Sequence, residues 1–238
     1  TAEHLNKYDW CTVRVTSPST GAKTSGTKLF YQHLLLHGYF DENCSKEVFR
    51  NIRRFVEIVC DYDTWRWKEE LGEEGLVCKQ VNDLFHIYGR DEFIEWAIDK
   101  IIYQYAEFPN FDYTDKTVLE QKQKEIDIYI SQKNKQLMTV VDNFGHTCGI
   151  VFAERHFSEL GNKLSELHPE LDYIAMIDIG FGGVSYRTVK DGIDLGGEIA
   201  HSYGGGGHRK AAGSSFDPDI AKSAVLNLVF GFDDEVII

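Results

Sequence analysis

The chain has 238 residues, of which 42% are hydrophobic and 26% are charged, proportions typical of a globular protein with one large or two small domains. Its formal net charge of −13 excludes broad, non-specific attraction to nucleic-acid backbones. That charge still permits a small local anion site or an acidic cluster that holds a divalent cation. No run of about 18 or more apolar residues occurs, so neither a membrane-spanning helix nor a membrane partner is predicted.

The first half of the chain is predicted to be mostly helical. Ser25 or Thr27 is the candidate N-cap of a first helix, which ends at Gly38. Apolar residues at helical spacing predict three further helices, which run over 45–60, 77–88 and 91–105. The second of these four helices ends in the acidic and aromatic stretch CDYDTWRW.

A change of pattern follows at Pro109 and Asn110, which predict a linker. Thr117 and Glu120 have the spacing of a capping box, which would open a charged helix that ends near Lys135. Such a helix is typical of a bridge between two domains, and a solvated surface helix fits the pattern equally well. The predicted organisation is therefore a first domain over 1–108, a linker and connecting helix over 109–135, and a second domain over 136–238.

From Leu137 onward the sequence favours strands mixed with helices. Two strands flank a turn at Asn143–Gly145, and a helix follows over 156–167. Further strands are predicted in YIAMIDIG, VSYRTV and AGSSF, with a short helix near 197–203. Asp217 and Pro218 suit the N-cap and first position of a last helix. The second half is thus predicted to have an α+β fold.

In the stretch HSYGGGGHRKAAGSSF, four glycines are followed directly by a histidine, an arginine and a lysine, three side chains that can carry positive charge. Glycine backbone allows a ligand to approach closely, and successive N–H groups can bind an anion. His208 and Lys210 add donors, and Arg187 in the preceding strand could offer its planar guanidinium to a phosphate. A flexible turn beside incidental charges is the alternative. Neither GxxxxGK[ST] nor GxGxxG fits this stretch.

The stretch GGGGHRKAAG, together with VSYRT before it, resembles the signature of the DHHA1 domain, the C-terminal substrate-binding half of one branch of the DHH phosphoesterases. The resemblance covers about residues 137–216. It implies an α/β (α+β) chain, in which a helical remnant of a DHH domain precedes a DHHA1-like domain with a central mixed sheet. The phosphate- and nucleotide-binding residues that it implies are Gly204, Gly205, Gly206, Gly207, His208 and Lys210, supported by Ser185 and Arg187.

The same family holds a pair of Mn²⁺ or Mg²⁺ ions with short aspartate and histidine motifs. CDYDTWRW resembles its fourth motif, which makes Asp63 the better ligand candidate and Asp61 the alternative. A polar turn that ends the helix against Trp65 and Trp67 would explain the stretch without a metal. The Asp-His-His triplet and the earlier aspartate motifs are missing from the sequence. The chain is therefore interpreted as the C-terminal portion of a DHH/DHHA1 protein that is inactive by itself.

The expected function of the complete protein is that of a metal-dependent phosphodiesterase or exonuclease. Its expected partners are short oligonucleotides, cyclic dinucleotides or nucleoside phosphates, and a homodimer is left open. A non-catalytic nucleotide- or nucleic-acid-binding module is the alternative. Five scattered cysteines without a CxxC pair predict free thiols in a reducing cytoplasm.

Overall fold

The computed structural model describes residues 2–18, 20–40, 44–103 and 106–231. The chain divides into two compact units, Thr1–Gln121 and Lys122–Ile238. Helices dominate the first unit and a six-stranded sheet the second, which confirms the predicted α+β class. The role of residues 109–135 as a linker between domains stays a prediction. None of the described helices is both long and apolar enough to cross a membrane.

The first unit contains five complete α-helices and the beginning of a sixth within its described residues. They are α1 (Gly26–Leu36), α2 (Lys46–Asp63), α3 (Arg66–Glu69), α4 (Leu76–Tyr88), α5 (Arg90–Ile98) and α6 (Tyr113–Asn134). The predicted N-cap Ser25 is confirmed, because its Oγ accepts a hydrogen bond from Lys28 N at 3.3 Å. The fourth predicted helix is interrupted: α5 ends at Ile98 and continues as a π-helix over Asp99–Tyr103. Its predicted end at 105 lies outside the described residues.

Helix α6 begins four residues before the predicted capping box. Asp112 Oδ1 accepts from Asp115 N, and Asp115 Oδ2 accepts from Asp112 N, both at 3.0 Å. This pair is the reciprocal cap that the sequence analysis assigned to Thr117 and Glu120. That assignment was wrong because Thr117 lies inside the helix, where its Oγ1 donates to Tyr113 O.

An ion cluster centred on the buried Lys100 and Asp115 stabilises the start of α6 in the first unit. Lys100, which is 3% exposed, places Nζ at 3.0 Å from carboxylate oxygens of both Asp112 and Asp115. Asp115 also accepts from Tyr88 Oη at 2.8 Å and from Trp96 Nε1 at 2.9 Å. Together with Asp112 N, four donors therefore satisfy a carboxylate that would otherwise be costly to bury.

The second unit is built on one mixed sheet. Its strands are β1 (Met138–Val141), β2 (Thr147–Phe152), β3 (Tyr173–Asp178), β4 (Gly183–Arg187), β5 (Gly206–His208) and β6 (Ala211–Ser215). The strand order is β1-β2-β3-β4-β6-β5, and only the β2–β3 pair is parallel among the described strands. Its helices are the end of α6, α7 (Phe157–Leu167), α8 (Ala200–Ser202) and α9 (Pro218–Phe230), with a π-helix over Leu195–Ile199 before α8.

The two faces of this sheet bury different side chains because residues alternate along each strand. Leu160 and Leu164 of α7 pack against Ile174 and Met176 on one face. Tyr173 and Tyr186 point to the other face, where the segment around Leu195 and Ile199 covers them. The last helix begins as predicted, with Asp217 as N-cap and Pro218 at the first position.

Candidate functional site

The glycine run is only partly a loop. Gly206, Gly207 and His208 form β5, an edge strand of the sheet, although the sequence predicts a loop throughout. Gly204 N donates to His201 O at 3.0 Å, and Gly205 N donates to Ala200 O at 2.8 Å. At least two of the four amides expected to bind an anion are therefore used by the fold itself.

Three of the four glycines are required by the backbone. Gly204 and Gly207 have left-handed φ values of 73° and 146°. A Cβ on Gly205 would overlap Gly213 O and lie 2.7 Å from Ser214 Cα. Gly206 differs from all three, because a Cβ there would meet no atom within 4 Å and its φ is not left-handed. Packing does not explain the glycine at 206, whereas close approach of a ligand would.

Strand register brings Arg187 and His208 into one row. Ala211 of β6 pairs with Arg187 of β4 on one side and with His208 of β5 on the other. Directly paired residues project from the same face of a sheet. Neighbouring strands lie about 4.8 Å apart, so the two basic residues are separated by roughly 10 Å across the small side chain of Ala211.

The adjacent row brings Ser185 and Gly206 to the same face. Gly213 pairs with Ser185 on one side and with Gly206 on the other. Because two of the three positions in this row are glycine, the floor between the strands is bare backbone. The structure thus brings together four of the predicted residues, Ser185, Arg187, Gly206 and His208.

The Arg187 side chain is fixed by hydrogen bonds to its own strand and to helix α7. Its Nη1 donates to Tyr186 O at 2.8 Å and its Nη2 to Ser158 Oγ at 3.3 Å, while its buried Nε has no hydrogen-bond partner among the described residues. Burial lowers the pKa of the guanidinium, and the charge of Glu159 partly opposes this shift. An arginine pKa starts far above neutrality, so the group stays charged.

A glycine in α7 makes room for this arginine. A Cβ on Gly161 would lie 2.5 Å from Arg187 Cγ and 2.6 Å from Met176 Cε. Sequence reasoning missed both Gly161 and Ser158 as neighbours of the site. The detectable signal was a glycine inside the apolar helical pattern of FSELGNKL, which indicates close packing.

Lys210 has a partner outside the row. It lies in the turn between β5 and β6, and its Nζ is 2.7 Å from Asp191 Oδ1. Both side chains are exposed, and such surface pairs are weak. A bound anion could therefore compete with Asp191 for the ammonium group.

The two acidic candidates of the first unit have different surroundings. Asp61 is buried, and its Oδ1 accepts from Arg66 Nη1 at 2.8 Å. Asp63 has no partner among the described residues and lines a pocket of about 330 Å³ whose walls are mostly apolar. Partial burial of its carboxyl group raises the pKa of Asp63. Asp63 is thus the freer of the two carboxylates.

A complete metal centre does not follow from these carboxylates. Within the part of the chain that the structure describes, no three His, Cys, Asp or Glu side chains lie close enough together to hold an ion. Asp63 alone does not fit a site for two divalent cations, which need several oxygen ligands each. Its assignment as a metal ligand stays a prediction.

Comparison with known proteins gives one relative of clear similarity. The chain is 38% identical over 221 residues to oligoribonuclease NrnB of Bacillus subtilis (strain 168), a match that covers 92% of this chain and 52% of that protein. The chain therefore spans about half the length of the curated relative it matches. No family model matches the chain.

Two solved structures show weaker likeness. The DHH domain of a protein described as a member of a family of ribosomal proteins is 11% identical, covers 76% of this chain and 48% of its own, and has a TM-score of 0.48. The pGpG-specific phosphodiesterase PggH from Vibrio cholerae is 15% identical, covers 84% and 72%, and has a TM-score of 0.40. Neither likeness fixes the fold or the function of this chain.

Proposed function

We propose that this chain is part of a DHH-family phosphodiesterase that acts on short oligonucleotides, with a DHHA1-like second unit that binds a substrate phosphate. The binding surface is the sheet face formed by Ser185, Arg187, Gly206 and His208, called the phosphate face below. The observation that carries the proposal is the strand register that puts these four residues on one face. The similarity to an oligoribonuclease supports short oligonucleotides over cyclic dinucleotides or nucleoside phosphates.

Each residue of the phosphate face has a distinct part in binding. The Arg187 guanidinium supplies charge and hydrogen-bond donors from one side, and the His208 imidazole donates from the other. The Ser185 hydroxyl adds a neutral donor, and the bare backbone at Gly206 lets a phosphate oxygen come close to the sheet. In a chain with a net charge of −13, these local donors are what makes an anion site favourable.

We propose Asp63 as the contribution of this chain to an Mn²⁺ or Mg²⁺ site in the complete protein. Such ions would polarise the phosphate and activate water. Because no three candidate ligand side chains lie together among the described residues, this chain by itself is expected to hydrolyse no phosphodiester.

A non-catalytic nucleotide-binding module is the second candidate, and the same lack of a described three-ligand group favours it. Both candidates require the phosphate face. They differ in turnover: hydrolysis of a dinucleotide by the complete protein with Mn²⁺ supports the enzyme, and binding without hydrolysis supports the module.

Isothermal titration of the chain with a nucleoside 5′-monophosphate tests the phosphate face. His208→Ala should remove one charge-assisted hydrogen bond, a loss of about 1.5–3 kcal/mol or roughly ten- to a hundredfold in affinity. His201→Ala is the matched control, since this second exposed histidine lies in α8. Equal affinity of the parent and His208→Ala would show that the phosphate face is not the binding site.

A further inference from the structure

Arg187 is a half-buried cation that is oriented by neutral groups. Its guanidinium donates to Tyr186 O and to Ser158 Oγ, and its buried Nε has no partner among the described residues. The nearby charge of Glu159 only partly offsets the effect of burial on the arginine pKa. An arginine that leaves water is usually paired with a carboxylate, because an unpaired charge is costly to bury. Here the two acceptors fix the direction of the guanidinium and leave its charge available to an anion.

Helix α7 contacts this arginine at three positions of one face. Ser158, Gly161 and Ser165 have the spacing i, i+3 and i+7, which puts them on the same side of the helix. Ser165 Oγ lies 3.4 Å from Arg187 O, and a Cβ on Gly161 would lie 3.0 Å from Arg187 Cβ and 2.5 Å from its Cγ. Ser158 Oγ lies 3.3 Å from Nη2. These small residues therefore follow the arginine from its backbone to its tip.

The stem of the arginine and the helix are both fixed in place. No side-chain atom separates the backbone of α7 at Gly161 from the stem, so the two pack directly on one another. Leu160 and Leu164 of α7 are fully buried against the sheet, which holds the helix at this distance. Only the tip of Arg187 keeps rotational freedom, and the contact of α7 with that tip is the hydroxyl of Ser158.

We propose that Ser158 is a positioning residue for Arg187, whose hydroxyl holds the guanidinium in the orientation that receives a phosphate at the phosphate face. This inference rests on the proposed function, since it concerns the same site. A hydroxyl suits the task because it accepts a hydrogen bond without carrying charge. A carboxylate in its place would pair with the guanidinium and compete with the phosphate. A methyl group would leave the tip to be ordered only when the phosphate binds, which lowers affinity.

Ser158→Asp separates positioning from packing, because stability and affinity should change in opposite directions. The new carboxylate lies in the first turn of α7 and pairs with Arg187, so the free energy of unfolding in urea should stay the same or rise. Isothermal titration with a nucleoside 5′-monophosphate should show a loss of affinity of roughly ten- to a hundredfold, since Arg187 is then neutralised. Ser223→Asp is the control, because it adds the same charge in α9 and should leave the affinity unchanged.

Three further variants test whether the hydroxyl acts through the arginine. Ser158→Ala should weaken binding roughly two- to tenfold, and Ser158→Thr, which keeps the hydroxyl, should recover most of that loss. In an Arg187→Ala background, Ser158→Ala should have no further effect, because the group that it orients is gone. These variants also decide the matter if Ser158→Asp does not fold.

The outcomes distinguish this inference from the proposed function. If Arg187→Ala weakens binding while Ser158→Asp and Ser158→Ala bind as tightly as the parent, Ser158 has no positioning role and the phosphate face stands. An equal loss from Ser158→Ala in the presence and absence of Arg187 would also overturn the inference. If Arg187→Ala itself binds as tightly as the parent, the phosphate face is wrong and the inference fails with it.

Discussion

Gly205 and Gly206 are neighbours in sequence, yet they should respond oppositely to substitution. In Gly205→Ala the new Cβ would overlap Gly213 O and lie 2.7 Å from Ser214 Cα, both backbone atoms that cannot easily move. We expect a loss of about 1–3 kcal/mol in the free energy of unfolding, the usual cost of overpacking. In Gly206→Val the new Cβ meets nothing within 4 Å, and valine suits a strand. Its stability should stay within about 0.5 kcal/mol of the parent.

The affinity for a nucleotide phosphate should respond in the opposite way, with the larger loss in Gly206→Val. The valine side chain at 206 would fill the bare floor beside Ser185 and Gly213, in the row next to Arg187 and His208. A phosphate displaced from this floor loses at least one charge-assisted hydrogen bond, about 1.5–3 kcal/mol, or roughly ten- to a hundredfold in affinity. Gly206→Ala should have an intermediate effect because its side chain is smaller.

Two measurements on the same preparations decide the matter. Urea denaturation gives the free energy of unfolding, and isothermal titration with a nucleoside 5′-monophosphate gives the affinity. Titration of Gly205→Ala is compared only where that variant is folded. A Gly206→Val variant that is folded and binds as tightly as the parent would refute the argument, because the open space at 206 would then have no part in binding.

Two further predictions concern stability. Asp172 accepts from Lys190 Nζ and from Thr147 N, both at 2.9 Å, and the bond from Lys190 is the main reason that its pKa lies below the ordinary value. A carboxyl group whose pKa is lower in the folded state than in the unfolded state stabilises the fold at pH values above its unfolded-state pKa. This stabilisation is lost as the pH falls through the folded-state pKa. The melting temperature of Asp172→Asn should therefore lie clearly below that of the parent at neutral pH, and the difference should shrink below about pH 4. A deficit that is constant with pH would contradict this. Lys100→Ala leaves Asp112 and the buried Asp115 without their cation and should cost about 3–5 kcal/mol in urea denaturation, whereas a cost below about 1 kcal/mol would show that the ion cluster contributes little.

Much of the secondary structure and the chemical character of the site could be predicted from the sequence. Ser25 and the Asp217–Pro218 pair act on neighbouring backbone groups, so their role in starting helices can be predicted without knowledge of the fold. Short runs rich in apolar and β-branched residues, bounded by turns, likewise predict β1 to β4, since these properties belong to the local sequence. The glycine run with its basic residues indicated an anion site because these properties belong to the residues themselves.

Only the tertiary structure decided which of these residues lie together. β6 pairs with β5 across a two-residue turn and with β4 from a distant part of the chain, which puts Arg187 and His208 in one row. No local pattern predicts the pairing of β6 with β4. Pairing of β5 with β6 turns Gly206–His208 into a strand, against the low strand preference of glycine. It also gives these two neighbouring glycines different surroundings. A Cβ on Gly206 would face open space, whereas a Cβ on Gly205 would meet the backbone of β6. Strand register is a long-range property, and for this protein it assigns the residues of the candidate site.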